Sequence, residues 1–208
     1  ITKNEERNIK PCLESVYGWA NEIIVVDDES TDRTVAIASH YTERIFHRKM
    51  DNEGRHRNWA YAQAKHDWVF SLDADEMATP ELCREIDEVL PSAQLPAYTI
   101  PRRNYIGDYW VRHGGWYPAR QLVLFIKSYF RWEEVEVHPR VFLDGPSGQL
   151  GHDIIHYSYR DFGHFFEKLN RQSTWEAQKW LNERRKIGPV LCARKMVDRF
   201  LKTYFVKQ

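Results

Sequence analysis

Residues 69–76 read VFSLDADE, an apolar run that closes on three carboxylates, Asp73, Asp75 and Glu76, within four positions. Like charges this close repel one another unless a cation or a donor-rich ligand sits between them, so the stretch reads as half of a binding site. In a continuing strand Asp73 and Asp75 would share one face; in a tight turn they would converge on one point. Either arrangement suits a hard divalent ion, Mg2+ or Mn2+, that bridges the phosphates of a nucleotide. A lone D-x-D fits a solvated acidic turn ahead of a helix cap equally well. A calcium loop would need an oxygen ligand and then Gly where Met77 and Ala78 stand, and an aspartyl phosphatase would need a small hydroxyl residue near Met77.

A second cluster, VVDDESTD, sets Asp27 and Asp28 at the end of another apolar run, about 45 residues earlier. A carboxylate there can accept the imide N–H of uracil or a ribose hydroxyl, or cap a helix. Between the clusters lies GRHRNWAYAQA, with Arg55, Arg57 and Asn58 at the start of a helix. An Arg fork matches phosphate, and a helix N-terminus adds partial positive charge; the plain alternative is a solvated basic turn.

The elements that must position these groups alternate. Residues 5–17 carry Ile9, Cys12, Leu13 and Val16 at helical spacing, and residues 23–26 form a short buried strand. Ser30 is placed to cap a helix that begins near Thr31, with Asp32 in its first turn. Residues 44–47 read as a weak strand, 54–65 as an Ala-rich helix and 67–72 as a second buried strand; Thr79 and Pro80 open a further helix. The alternation predicts an α/β fold, a mostly parallel sheet with helices on both faces, and ligands at the carboxyl ends of its strands. After Leu95 the texture changes: residues 98–106, 121–127 and 129–132 read as strands, and Tyr109, Trp110, Trp116 and Tyr117 crowd between them as ordinary packing or as a sugar platform. From Phe162 the chain is helical, and residues 187–205 carry a wide apolar face opposed by Arg194, Lys195, Arg199 and Lys202.

Composition narrows the classes. Thirty basic residues balance thirty acidic ones, so net charge gives no support to nucleic-acid binding. Three widely spaced cysteines, Cys12, Cys83 and Cys192, suit thiols in a reducing compartment better than a disulfide framework or a zinc cluster. With no signal peptide and no run of apolar residues long enough for a membrane span, a cytoplasmic location is expected. Ile1 reads as the tail of a strand, so a few residues are expected ahead of it.

The segments ITKNEERNIKPCLESV, EIIVVDDESTDRT and GRHRNWAYAQAKHDWVFSLDADE, in this order, resemble the successive motifs of inverting family-2 glycosyltransferases with the GT-A fold. Downstream, GGWYPARQLVLF, RWEEVEVHPRV and HYSYRDFGHFFEKLNRQS are similar to the bacterial subgroup that includes lipopolysaccharide inner-core glucosyltransferases. The resemblance implies that Thr2 and Glu5 lie beside the nucleoside, Asp27 and Asp28 near uracil and ribose, and Arg57 near the diphosphate. It further implies that Asp73 binds the sugar nucleotide and Asp75 the metal, with His152 and His156 as candidates for a later metal-binding histidine. An inverting enzyme needs one base to deprotonate the acceptor hydroxyl. If Val135 and Val137 face the core, Glu134, Glu136 and His138 share the other face; Glu136 is the expected base, with Glu134 and His138 as alternatives, and Pro139 departs from the subgroup's usual Val-His-Glu.

The expected protein is thus a metal-dependent transferase that moves a sugar, glucose in this reading, from a UDP-sugar to a saccharide or lipid-linked saccharide hydroxyl in cell-envelope or lipopolysaccharide core synthesis. Two alternatives are a sugar nucleotidyltransferase, which should carry a Gly-rich loop that ITKNEE lacks, and a non-catalytic carbohydrate-binding protein. The expected organisation is a GT-A domain over residues 1–160, with a nucleotide-sugar half (1–95) and an acceptor half (96–160), followed by a helical extension over 161–208. That extension is expected to make peripheral contact with the inner face of the cytoplasmic membrane.

Overall fold

A computed structural model describes residues 1–135, 139–184 and 188–206. Helix α1 (Ile9–Glu14), strand β1 (Val25–Asp27), α2 (Thr34–Ala38), β2 (Ile45–His47) and α3 (Glu53–Ala62) alternate, followed by β3 (Trp68–Phe70), β4 (Glu76–Ala78) and α4 (Pro80–Val89). A run of strands comes next: β5 (Ala97–Ile100), β6 (Arg102–Ile106), β7 (Tyr109–Trp110), β8 (Gln121–Ile126), β9 (Phe130–Trp132), β10 (Val141–Leu143), β11 (Ser147–Gln149) and β12 (Ile154–Tyr159). Helices α5 (Phe162–Asn182) and α6 (Pro189–Leu201) follow. The chain divides into two compact units, Ile1–Arg102 with Arg120–His156, and Arg103–Ala119 with Tyr157–Gln208.

In the first unit the helix starts follow local chemistry. Asn52 Oδ1 accepts the Arg55 N–H at the head of α3, and Thr79 Oγ1 accepts the Leu82 N–H at the head of α4, with Pro80 in the first turn. The apolar face of α4, Leu82, Cys83 and Ile86, is buried against Ile100, Leu124 and Ile154. Ile9 and Leu13 of α1 pack with Val25 of β1, Ala38 of α2 and Ala74. A third cluster joins Ala97, Phe125 and Phe130, whose rings stack at 3.7 Å, with Tyr61 of α3 and Trp132 against it.

The α/β class and the C-terminal helices match expectation, but the pairing is more mixed than the alternation implied. β1 and β2 pair in parallel, as do β11 and β5, whereas β3–β8, β5–β8, β4–β12 and β9–β10 are antiparallel. After α4 the chain runs strand to strand without crossover helices, so a short connection makes β9 and β10 antiparallel neighbours, while β8 and β12 return from later in the chain to pair antiparallel with β3, β5 and β4. The helix predicted from Thr31 begins instead at Thr34. Ser30 Oγ is taken by the Asn4 N–H at 2.9 Å and Asp32 Oδ2 by the Glu6 N–H at 3.1 Å, so these residues stitch two loops together before the helix can start.

The second unit holds the β6–β7 hairpin, turned at Gly107 (φ 56°), and the helices. Its aromatic residues pack on one another: Trp116, Tyr159 and Phe165 meet in tilted and edge-to-face contacts, and Trp110 meets Tyr117 edge-on at 5.3 Å. Mutual packing is therefore the reading that fits Trp110, Trp116 and Tyr117, while Tyr109 is exposed.

Candidate active site

All of the site lies in the first unit, and α1 and α3 assemble it. The D-A-D sequence forms a tight turn three residues past β3, closed by the Glu76 N–H donating to Asp73 O at 2.9 Å. Ala74 anchors that turn in the cluster formed by α1, α2 and β1, and Cys12 Sγ of α1 donates to Asp73 O at 3.5 Å. Burial pushes the Cys12 thiol up to about 12, so it stays protonated as a donor. Asp73 and Asp75 are left on either side of a buried alanine.

Glu76, the third acid of the cluster, is a structural group. It is buried, its Oε2 accepts the Asp73 N–H at 3.0 Å, and its Oε1 pairs with Arg102 Nη1 at 3.0 Å. Burial, and then the nearby Asp73 carboxylate, raise its pKa above the ordinary Glu value. Two of the three carboxylates are thus available for a ligand.

Asp73 meets the fork of Arg57, Nη1 to Oδ1 at 3.0 Å and Nη2 to Oδ2 at 3.3 Å, while Arg57 Nε binds Glu53 at 3.1 Å and its guanidinium lies over Trp132. Burial disfavours the Asp73 charge, but the Arg57 guanidinium outweighs it and holds the carboxyl below its usual range. Asp75 Oδ2 lies 3.4 Å from Nε2 of His156, which β12 delivers by pairing opposite Glu76 of β4. His152 is held elsewhere: its Nδ1 and N–H both meet Glu85 of α4, at 3.0 and 2.9 Å. Of the two candidate histidines, the fold brings His156 to Asp75.

At the end of β1, Thr2 pairs beside the strand through Thr2 N–H to Val26 O and Asp28 N–H to Thr2 O, both 2.9 Å. Asp27 Oδ2 accepts the Ser30 N–H; Asp28 accepts the Met50 N–H at 2.8 Å and Lys3 Nζ at 2.9 Å. Burial opposes ionisation of Asp28, yet these two donors hold its pKa below the ordinary value. Glu5 sits in the adjoining loop, its N–H on Thr34 Oγ1 and its Oε2 accepting Asn8 Nδ2. Thr2 Oγ1 and Asp27 Oδ1 are buried with no hydrogen-bond partner among the described residues, a costly arrangement that a bound polar ligand would relieve.

Helix α3 joins this side to the other. His56 is buried beneath it, its Nδ1 beside Arg48 Nη1 at 3.0 Å, and burial followed by Arg48 keeps it neutral by lowering its pKa. On the same helix Asn58 grips β9 as a neighbouring strand would: Oδ1 accepts the Trp132 N–H at 2.8 Å and Nδ2 donates to Trp132 O at 3.0 Å. Gly54 allows the approach, since a Cβ there would collide with the Glu133 carbonyl. Glu133 is chelated by Arg140, which holds it down to about 2, and Glu134 meets Arg55 at 3.3 Å. Glu136 and His138 lie outside the described residues.

Sequence reasoning missed Arg102, Trp132 and the clamp role of Asn58. A glycine within the first turn of a helix is itself a sign of close backbone approach, and Gly54 carried that sign.

A compact α/β unit with acidic strand ends, a basic helix start and a metal-suited carboxylate–imidazole pair has the make-up of a nucleotide-sugar enzyme. Residues 1–140 match the family model described as "Glycosyl transferase family 2", and the chain belongs to that family of glycosyltransferases, which have the GT-A fold. It is 28% identical to an uncharacterised glycosyltransferase of Rickettsia typhi across its whole length and 75% of that relative. It is 26% identical to the lipopolysaccharide core biosynthesis glycosyltransferase LpsC of Rhizobium meliloti, over 86% of this chain and 69% of that one. Among solved structures, S. aureus TarS shares 20% identity at a TM-score of 0.48, covering 62% of this chain and 45% of the TarS chain.

Proposed function

We propose that this glycosyltransferase moves a sugar from a UDP-sugar to a hydroxyl of a saccharide or lipid-linked saccharide, with inversion at the anomeric carbon and glucose as the sugar. The observation that carries this reading is the convergence of Arg57, Asp73, Asp75 and His156 beyond the carboxyl end of β3. Thr2, Glu5, Asp27 and Asp28 receive uracil and ribose, and the orphaned Thr2 Oγ1 and Asp27 Oδ1 are the natural contacts. Arg57 turns part of its fork from Asp73 to the diphosphate.

Among the described residues no three His, Cys, Asp or Glu side chains form a closed metal cage. One carboxylate and one imidazole, Asp75 and His156, fit an ion that keeps most of its shell for water and phosphate oxygens, as Mg2+ or Mn2+ does. Such an ion, when bound, neutralises charge on the departing diphosphate. In the transfer the acceptor oxygen bonds to the anomeric carbon as the bond to the diphosphate breaks; UDP leaves with that electron pair, and Glu136 takes the hydroxyl proton. Glu134 and His138 are the alternative bases.

The likeness to LpsC supports a role in lipopolysaccharide core or related envelope synthesis. The GT-A domain of the reading spans residues 1–160 and the helical extension 161–208, with the enzyme working at the cytoplasmic side of the membrane. A screen of UDP-sugars with Mn2+ present, reading UDP release, tests the reading. Release from one UDP-hexose, raised by saccharide acceptor, is expected; pyrophosphorolysis of UDP-sugar to UTP and sugar phosphate would instead make it a nucleotidyltransferase, and no turnover of any donor would leave a carbohydrate-binding protein.

A further inference from the structure

The chain is neutral overall, but its charge is strongly partitioned. Residues 157–208 hold twelve Lys and Arg against five Asp and Glu, net +7, leaving eighteen against twenty-five, net −7, in residues 1–156. The positive part coincides with an unburied apolar face. On α6, Val190 is 81% exposed and Met196 73%, and Val197, Phe200 and Leu201 are exposed as well, as is Tyr204 in the π-helical turn, Lys202–Val206, that follows. At 100° per residue the five on α6 fall within an arc of about 140°, with Arg194 beside one margin and Arg199 beyond the other.

The contact between the two helices fixes which side of α6 is spoken for. Lys195 Nζ lies over the Trp180 ring of α5 at 5.4 Å, and Lys195 projects nearly opposite the apolar arc. The side of α6 that meets α5 is thus its polar side, and the apolar arc is turned away from it. No helix among the described residues is long and apolar enough to cross a bilayer.

We propose that α6 and the turn after it dock in the plane of an anionic lipid leaflet, with Met196, Val197, Phe200 and Tyr204 entering the headgroup–acyl boundary and Arg194 and Arg199 meeting lipid phosphates. An apolar arc with arginines at both margins has the amphipathic make-up of an interfacial helix. Charge disfavours pairing of this face with the same face of a second copy, since two tails of net +7 repel, whereas an anionic leaflet attracts each basic residue near its surface. The inference stands independently of the proposed donor and acceptor.

The test is co-sedimentation of the intact chain with phosphatidylcholine vesicles, neutral or one-third phosphatidylglycerol, at low and high salt. Binding is expected on the anionic vesicles at low salt only, because the attraction is screened within a Debye length. Arg194→Gln with Arg199→Gln should lower the partition coefficient by about 30-fold, and Val197→Ser with Phe200→Ser by about tenfold or more. Both pairs should keep the wild-type melting temperature, since every substituted side chain is exposed. Absence of binding at low salt, equal binding to neutral vesicles, or indifference to both pairs of substitutions would overturn the proposal. A concentration-dependent dimer dispersed by Val197→Ser with Phe200→Ser, without vesicle binding, would assign the face to subunit contact instead.

Discussion

Replacing Asn58 by Ala removes, along with a long 3.5 Å contact from Nδ2 to Glu134, both hydrogen bonds to the Trp132 backbone, the 2.8 Å bond from the Trp132 N–H and the 3.0 Å bond to Trp132 O. Each is worth about 1 kcal/mol net, and part-buried backbone groups left without partners add to the loss, so a destabilisation of about 2–3 kcal/mol follows. For a chain of this size that corresponds to a fall in melting temperature of roughly 5–10 °C. The functional consequence is larger, because Trp132 lies under Arg57 and leads into the segment that contains Glu136. A displacement of about 1 Å in a catalytic group can cost on the order of 10²-fold in rate, so kcat should drop steeply. UDP affinity should change little, since Arg57 keeps Asp73 and Glu53 as partners. Asn58→Asp should not rescue, because its second oxygen would face the Trp132 carbonyl. Thermal melts, UDP titration and donor turnover on the same preparations check all three points. A melting temperature within about a degree of wild type, with kcat intact, would refute the clamp.

Glu136→Gln should bind UDP and metal normally and lose transfer by about 10²-fold or more, as removal of a general base does; retained activity with loss in Glu134→Gln or His138→Ala would move the base without touching the family. His56 has a pKa lowered below 6.5 by burial and Arg48, so its contribution to stability is present above pH 6.5 and fades as pH falls through the folded value. The melting temperature should therefore decline on acidification below pH 6.5, and His56→Gln should flatten that part of the profile; an unchanged slope would show that other groups govern it.

What could be read from the residues was whatever local chemistry encodes. Thr79 and Pro80 announced α4, the apolar run before Asp27 announced β1, and the spacing of α6 announced its exposed face. Ser30 misled because its hydroxyl serves Asn4, 26 residues away in sequence, and no local pattern records that partner. Glu76 was grouped with Asp73 and Asp75 by proximity, but its role depends on Arg102, which arrives from β6. His152 and His156 were equivalent in sequence; the register of β12 on β4 separates them, and register is a non-local property. Antiparallel pairing after β4 was hidden for the same reason.

In the proposed reaction Asp75 and His156 would link a divalent ion to the diphosphate of a bound uridine nucleotide. The direct measurement is the melting temperature with saturating UDP, in Mn2+ and in chelator, for wild type, Asp75→Asn and His156→Ala. Ligand that binds only the native state raises stability by about 2.7 kcal/mol at a hundredfold excess over Kd. That increment is expected in wild type with Mn2+, little of it in chelator, and a loss of the Mn2+-dependent part in both variants with their unliganded melting temperatures near wild type. Equal stabilisation by UDP in Mn2+ and chelator, or undiminished Mn2+ dependence in Asp75→Asn, would contradict it.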